Sequence, residues 1–64
     1  MKYYYIVIAH YDKYHREHID ETGQPNKYGP VKKFSRECDA WAWVQKNNYK
    51  GMSISYSVKA IVEE

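Results

Sequence analysis

Leucine is absent from this 64-residue chain, and cysteine occurs once, at Cys38. A lone cysteine closes no internal disulfide, so the sequence does not describe a stapled secreted scaffold and predicts a reducing, cytoplasmic setting. The glycines stand apart at positions 23, 29 and 51, which leaves no Gly-rich loop to cradle a phosphate. The apolar run from Tyr3 to Ala9 is too short to span a bilayer and lacks the flanks of a signal peptide, so no membrane association is expected. A dominant charge sign is also missing: ten Lys and Arg face eight Asp and Glu, giving a net charge of +2 and a pI of about 8.7. That excess falls short of a dedicated DNA-binding domain. At this length only about 60% of the unfolded surface can be buried, which excludes a catalytic cleft between domains, a complete dinucleotide site and a barrel. Neither repeats nor a shift in composition divides the chain, and a single domain over residues 1–64 is predicted.

What the sequence has in plenty is aromatic side chain: eight Tyr, two Trp and one Phe, or 17% of the residues. Aromatics bury a large area per residue, which a short chain needs to offset roughly 1.5 kcal/mol of ordering entropy per residue. Eleven of them exceed what so small a core can hold, so some are expected at the surface.

The stretch from Tyr3 to Tyr11 is β-branched and aromatic without Gly or Pro, and reads as a strand with two apolar faces. Tyr4, Ile6 and Ile8 are the more aliphatic set and are assigned to the core, which turns Tyr3, Tyr5 and Tyr11 the other way. Residues 53–62 alternate cleanly, with Ile54, Tyr56, Val58, Ala60 and Val62 on one side and Ser53, Ser55, Ser57 and Lys59 on the other, as in a half-buried strand. Residues 35–48 carry a helix, with Ser35 as N-cap, Glu37 and Asp39 at the positive end of the dipole, and Asn47, Asn48 and Gly51 as stop signals. Two helical stripes compete. One joins Ala40, Trp41 and Val44 and continues at Asn48; the other joins Ala40, Trp43, Val44 and Asn47. The first is preferred, with Trp41 inside and Trp43 outside. A short strand over Val31–Phe34 is predicted to precede the helix. The polar stretch 12–27, with the turn cluster Thr22-Gly23-Gln24-Pro25-Asn26, reads either as a hairpin arm or as a loop.

These elements predict an α+β domain in ββαβ order: a three-stranded, mainly antiparallel sheet with one helix on one face. The expected core is Ile6, Ile8, Phe34, Ala40, Trp41, Val44, Ile54, Tyr56 and Val58. The run Gly29-Pro30-Val31-Lys32-Lys33-Phe34-Ser35, followed by acidic residues, Ala40, a Trp-rich helix end and a last strand, resembles the small ββαβ proteins of unknown role encoded by phages and mobile elements of Firmicutes. The resemblance covers the second half of the chain. It implies an accessory, host-interacting role, and it transfers no site residues.

Chemistry-bearing motifs are sparse. His15 and His18 would share one side of a helical turn, with Glu17, Asp20 or Glu21 as oxygen ligands, so metal binding by the His-rich arm is a minor alternative. The spacing of a metalloprotease helix is missing, and no metal or cofactor is assigned. Cys38 lies near a helix N-terminus, which lowers a thiol pKa, but Glu37 and Asp39 flank it and oppose that shift. It reads as a buried or half-buried small residue, and no catalytic residue is assigned.

The sheet face away from the helix is the candidate surface. Tyr3, Tyr5 and Tyr11 beside Ser55, Ser57 and Lys59 would form an aromatic, hydroxyl-rich platform, joined by an exposed Trp43 on the helix. Protein interfaces favour Tyr and Trp at their hot spots, and single-stranded nucleic acid stacks on such platforms. The leading expectation is a non-enzymatic module that binds and modulates a host protein through Tyr3, Tyr5, Tyr11, Trp43 and Lys59. The alternative is a single-stranded nucleic-acid binder that adds Lys32, Lys33 and Arg36. A homodimer hiding the tyrosines is a further option.

Overall fold

A computed structural model describes residues 2–47 and 54–63. Strand β1 (Lys2–His10) is followed by β2 (Arg16–Ile19), β3 (Pro25–Asn26), helix α1 (Glu37–Asn47) and β4 (Ser55–Glu63). The strands form one antiparallel sheet in the order β3-β2-β1-β4. The class is α+β with one helix, as expected, but the sheet has four strands where three were predicted, because the polar stretch 12–27 folds into a hairpin arm.

Two carboxylates shape that arm. Asp12 Oδ1 accepts the backbone N–H groups of Tyr14 and His15, both at 2.8 Å, and so tightens the turn between β1 and β2. Asp20, nearly buried, accepts from the Thr22 and Gln24 backbone N–H groups and the Thr22 hydroxyl, while Asn26 Nδ2 donates to its other oxygen at 3.1 Å. Gly23 sits in this turn at a φ of 86°, a conformation that L side chains rarely adopt. The Thr22 hydroxyl, the Gln24 N–H and the Asn26 amide together pull the Asp20 carboxyl down to about 2.

The predicted strand over Val31–Phe34 is reduced to two isolated bridges, Asp20 with Val31 and Tyr5 with Phe34. The segment passes from the end of β2 onto β1: Lys32 N–H donates to the Ile19 carbonyl at 2.8 Å, and Tyr5 and Phe34 exchange backbone hydrogen bonds at 2.8 and 2.9 Å.

β1 packs with the face opposite to the one assigned from its sequence. Val7 and Ala9 are fully buried, whereas Ile6 and Ile8 are only half-buried on the other side. The cause is the register with β4, which sets Val7 opposite Val58, Ala9 opposite Tyr56 and Ile6 opposite Lys59. β4 has one apolar face, and residues directly opposite each other share a face. The odd residues of β1 must therefore join Tyr56 and Val58 under the helix. Ala9 and Ala40, both fully buried, let sheet and helix approach closely.

The buried core is Val7, Ala9, Ile19, Ala40 and Val44, with Tyr5, Tyr11, Phe34, Trp43, Ile54, Tyr56 and Val58 packed against it. Of the expected core, Phe34, Ala40, Val44, Ile54, Tyr56 and Val58 belong to it; Ile6, Ile8 and Trp41 do not. Trp43 is the inner tryptophan, meeting Tyr56 edge-on at 6.2 Å between ring centroids, while Trp41 is 43% exposed. At about 100° per residue the two lie about 160° apart on α1, so only one can face the sheet.

α1 starts at Glu37, and the Arg36 carbonyl accepts from the Asp39 and Ala40 N–H groups at 3.2 and 3.3 Å. The cap position therefore falls on Arg36, and the Ser35 hydroxyl predicted to cap makes no hydrogen bond to the first turn. Arg36 reaches forward to Asp39 at 3.2 Å, Lys46 stands in the last turn, and Asn47 Nδ2 donates to the Trp43 carbonyl at 2.8 Å. Cys38 is exposed, contrary to the expectation of a half-buried thiol, because it lies about 200° around the helix from the buried Ala40. The stop signals Asn48 and Gly51, and Ser53, lie outside the described residues.

Candidate interaction face

The helix covers one side of the sheet, and among the described residues no element covers the other. Strand alternation and register place Tyr4, Ile6, Ile8 and His10 of β1 on that open side, with Arg16 and His18 of β2 and Ser55, Ser57, Lys59, Ile61 and Glu63 of β4. Tyr4 faces Ile61, Ile6 faces Lys59, and Ile8 lies between Ser57 and His18. A strip of aliphatic carbon thus runs along the middle, half-buried only by its neighbours. Ile6, Ile8, Arg16, Glu17, His18 and Lys59 line a shallow open depression within it.

The strip has a cationic rim. Lys33 Nζ sits 4.8 Å from the centre of the Tyr4 ring, a cation–π distance that brings this lysine onto the open side. Among the described residues Lys2, Arg16, Lys33 and Lys59 stand on or beside this face with Glu63, while Glu17 borders the depression beside Arg16 and Glu21 shares a hollow with Lys33.

Polar chemistry on the face is limited. His10 Nε2 lies 2.7 Å from Ser57 Oγ, a hydroxyl–imidazole pair. His18 Nε2 is buried and has no hydrogen-bond partner.

The sequence-predicted site residues are dispersed. Tyr5, Tyr11 and Trp43 pack against the core on the helix side and do not form the expected open platform. Burial, reinforced by Glu17 and Tyr56 nearby, raises the Tyr11 phenol above its ordinary value. Tyr3 is 46% exposed but faces Val62, also on the helix side. Of that set only Lys59 lies on the open face. The three basic residues do not form one patch either: Lys33 covers Tyr4, Lys32 lies 5.5 Å from the Phe34 ring, and Arg36 is held by Asp39.

The His-rich arm is extended and lacks the helical turn that the minor metal-binding alternative required, so His15 and His18 fall on opposite sides. His15 stacks on Tyr11 at 5.1 Å and pairs with Glu17 at 3.4 Å on the helix side. Among the described residues no group of three or more His, Cys, Asp or Glu is placed to hold a metal ion. No described helix is long and apolar enough to cross a membrane.

Tyr4, Ile6, Ile8, Ile61, Arg16 and His18 are the face residues that sequence reasoning missed. The only signal able to find them was the single apolar face of β4, once its register with β1 is known. Comparison of the chain with protein-family models, curated proteins and solved structures returned no match.

Proposed function

We propose that this protein is a small, non-enzymatic binding module that docks an acidic, amphipathic segment of another protein on the open face of its sheet. The observation that carries the reading is the combination of an aliphatic strip, Ile6, Ile8 and Ile61 beside Tyr4, with the cations Arg16, Lys33 and Lys59 around it. Apolar area supplies affinity, and the charged rim selects the partner's sign and speeds encounter. The phage or mobile-element resemblance fits an accessory protein that modulates a host protein in the cytoplasm.

The nucleic-acid reading is weaker on this geometry. It called for several stacking tyrosines, but Tyr3, Tyr5 and Tyr11 are on the helix side, and Tyr4, the one tyrosine that the described residues place on the open face, is already covered by Lys33.

Affinity capture from host extract with Ile6→Thr/Ile8→Thr and Arg16→Glu beside the parent chain tests the proposal. Threonine keeps the β-branched shape, and circular dichroism checks the fold. Loss of the captured protein in both variants, with its cross-linked segment rich in Asp and Glu, is the expected result. Variants that capture the same protein as the parent refute it. A labelled single-stranded oligonucleotide that binds at low salt and is released steeply as salt rises would establish the alternative.

A further inference from the structure

We infer that the outer edge of β4 is a self-association surface, on which a second copy of this chain lays its own β4 antiparallel to form one continuous sheet. β4 ends the sheet, spans nine residues and contains neither proline nor glycine. Its unpaired backbone groups follow from strand alternation. Tyr5 bonds to Phe34 on the far side of β1, so the even residues of β1 bond toward β4, and their partners Ser55, Ser57, Lys59 and Ile61 bond back. Tyr56, Val58, Ala60 and Val62 consequently turn their N–H and C=O groups outward, where among the described residues no strand receives them. Such an edge is a template for pairing unless it is short, bulged or covered.

A second copy is the occupant because the end of the strand is complementary to its own reverse. The segment reads Lys59-Ala60-Ile61-Val62-Glu63. With Ile61 on the twofold axis, Lys59 faces Glu63 of the second copy at both ends. Ala60 then faces Val62 of the second copy in the narrow, hydrogen-bonded position. An isologous interface demands this reciprocity. Lys59 has no ion pair among the described residues and faces an isoleucine across β1.

Apolar surface accompanies the open backbone. Val62 is 48% exposed and Ala60 is exposed, both on the helix side of the edge. Phe34 and β4 are each antiparallel to β1 and hence parallel to one another, with α1 between them in the chain. Trp43 packs on Tyr56 of β4 from the inner side of α1, and Trp41 on the same helix is 43% exposed. The pairing also joins the two open faces into one surface.

Sedimentation velocity over a concentration series tests the inference, with circular dichroism checking each fold. The parent chain is expected to reach twice its 7.7 kDa mass. Ala60→Pro removes an outward N–H, the one kind of strand position that tolerates proline, and is expected to stay monomeric while folded. Lys59→Glu and Glu63→Lys are each expected to weaken association about tenfold, and the double reversal to restore it. A chain that remains monomeric at every concentration overturns the inference, as does a dimer indifferent to Ala60→Pro. If Lys59 instead guards the edge, the double reversal gives no recovery, and that result also overturns it.

Discussion

Exchanging one buried and one open-face residue of β1 for threonine tests which face of the strand meets the helix. Val7→Thr preserves shape and β-branching but puts a hydroxyl where the side chain has no exposure, among Ala9, Ile19, Ala40 and Val44. An unpartnered buried hydroxyl costs about 1–3 kcal/mol, and the lost methyl adds about 0.8 kcal/mol, so roughly 2–4 kcal/mol is expected. Ile8→Thr removes more carbon, but from a half-buried position on the open face, where about 0.5–1 kcal/mol is at stake. In a domain of this size each kcal/mol moves the melting temperature by roughly 4–8 °C. Thermal melts followed by circular dichroism should therefore show Val7→Thr lower by about 10–30 °C, and Ile8→Thr by only a few degrees. Both strands of the argument fail if Ile8→Thr is the more damaging change, since the even residues would then be the core face.

Two further outcomes follow from the packing and from the arm. Trp43→Ala should cost about 2–4 kcal/mol in denaturant unfolding, because it removes the ring packed on Tyr56, whereas Trp41→Ala at low protein concentration should cost under about 1 kcal/mol; equal losses would mean that α1 is rotated. Asp20 has a carboxyl lowered from 3.8 to about 2 by its hydrogen bonds, so its contribution to stability is fully present above pH 3.8 and disappears as the pH falls through about 2. Side-chain carboxyl NMR should show Asp20 titrating near 2, and Asp20→Asn should flatten the acid limb of the stability curve; titration near the ordinary value would mean that the Thr22, Gln24 and Asn26 donors do not converge on it.

How much of this fold can be read from the sequence depends on how many faces each segment has. The final strand carries a single apolar face, and its alternation alone assigns Tyr56 and Val58 to the core. β1 is apolar on both faces, so its own sequence cannot choose between Ile6 with Ile8 and Val7 with Ala9. Only the register, in which Val7 meets Val58, decides. Aliphatic bulk pointed the wrong way because the register sets Val7 and Ala9, not Ile6 and Ile8, beside the apolar face of β4. The two tryptophans pose the same problem in helical form: Ala40 and Val44 fit either stripe, and it is Asn47 on the inner side, closing the helix onto the Trp43 carbonyl, that goes with Trp43. The arm was ambiguous for a different reason. β2 and β3 are short and polar, and they are held by Asp20 and by neighbouring backbone more than by an apolar pattern, so periodicity gave little sign of them.

The misplacement of the tyrosines decides where this molecule can act. Eleven aromatics suggested an open aromatic platform, yet the described ring contacts put Tyr5, Tyr11, Phe34, Trp43 and Tyr56 around a small aliphatic core. That arrangement suits a chain without leucine: rings reach from the margins over Val7, Ala9 and Ala40 and enclose more area than aliphatic side chains of the same number. The aliphatic residues so displaced, Ile6, Ile8 and Ile61, are left on the uncovered face among Arg16, Lys33 and Lys59. One helix is only about 10 Å across, while strands about 4.8 Å apart make a four-stranded sheet wider than that, so a single α1 covers one face in part and cannot shield the far face or the β4 edge. On the opposite side of β1, β2 and the Val31–Phe34 crossing occupy the edge. Among the described residues the uncovered face and the nine-residue β4 edge are thus left open, the other edge being only the two-residue β3, and the two meet at Lys59 and Ile61.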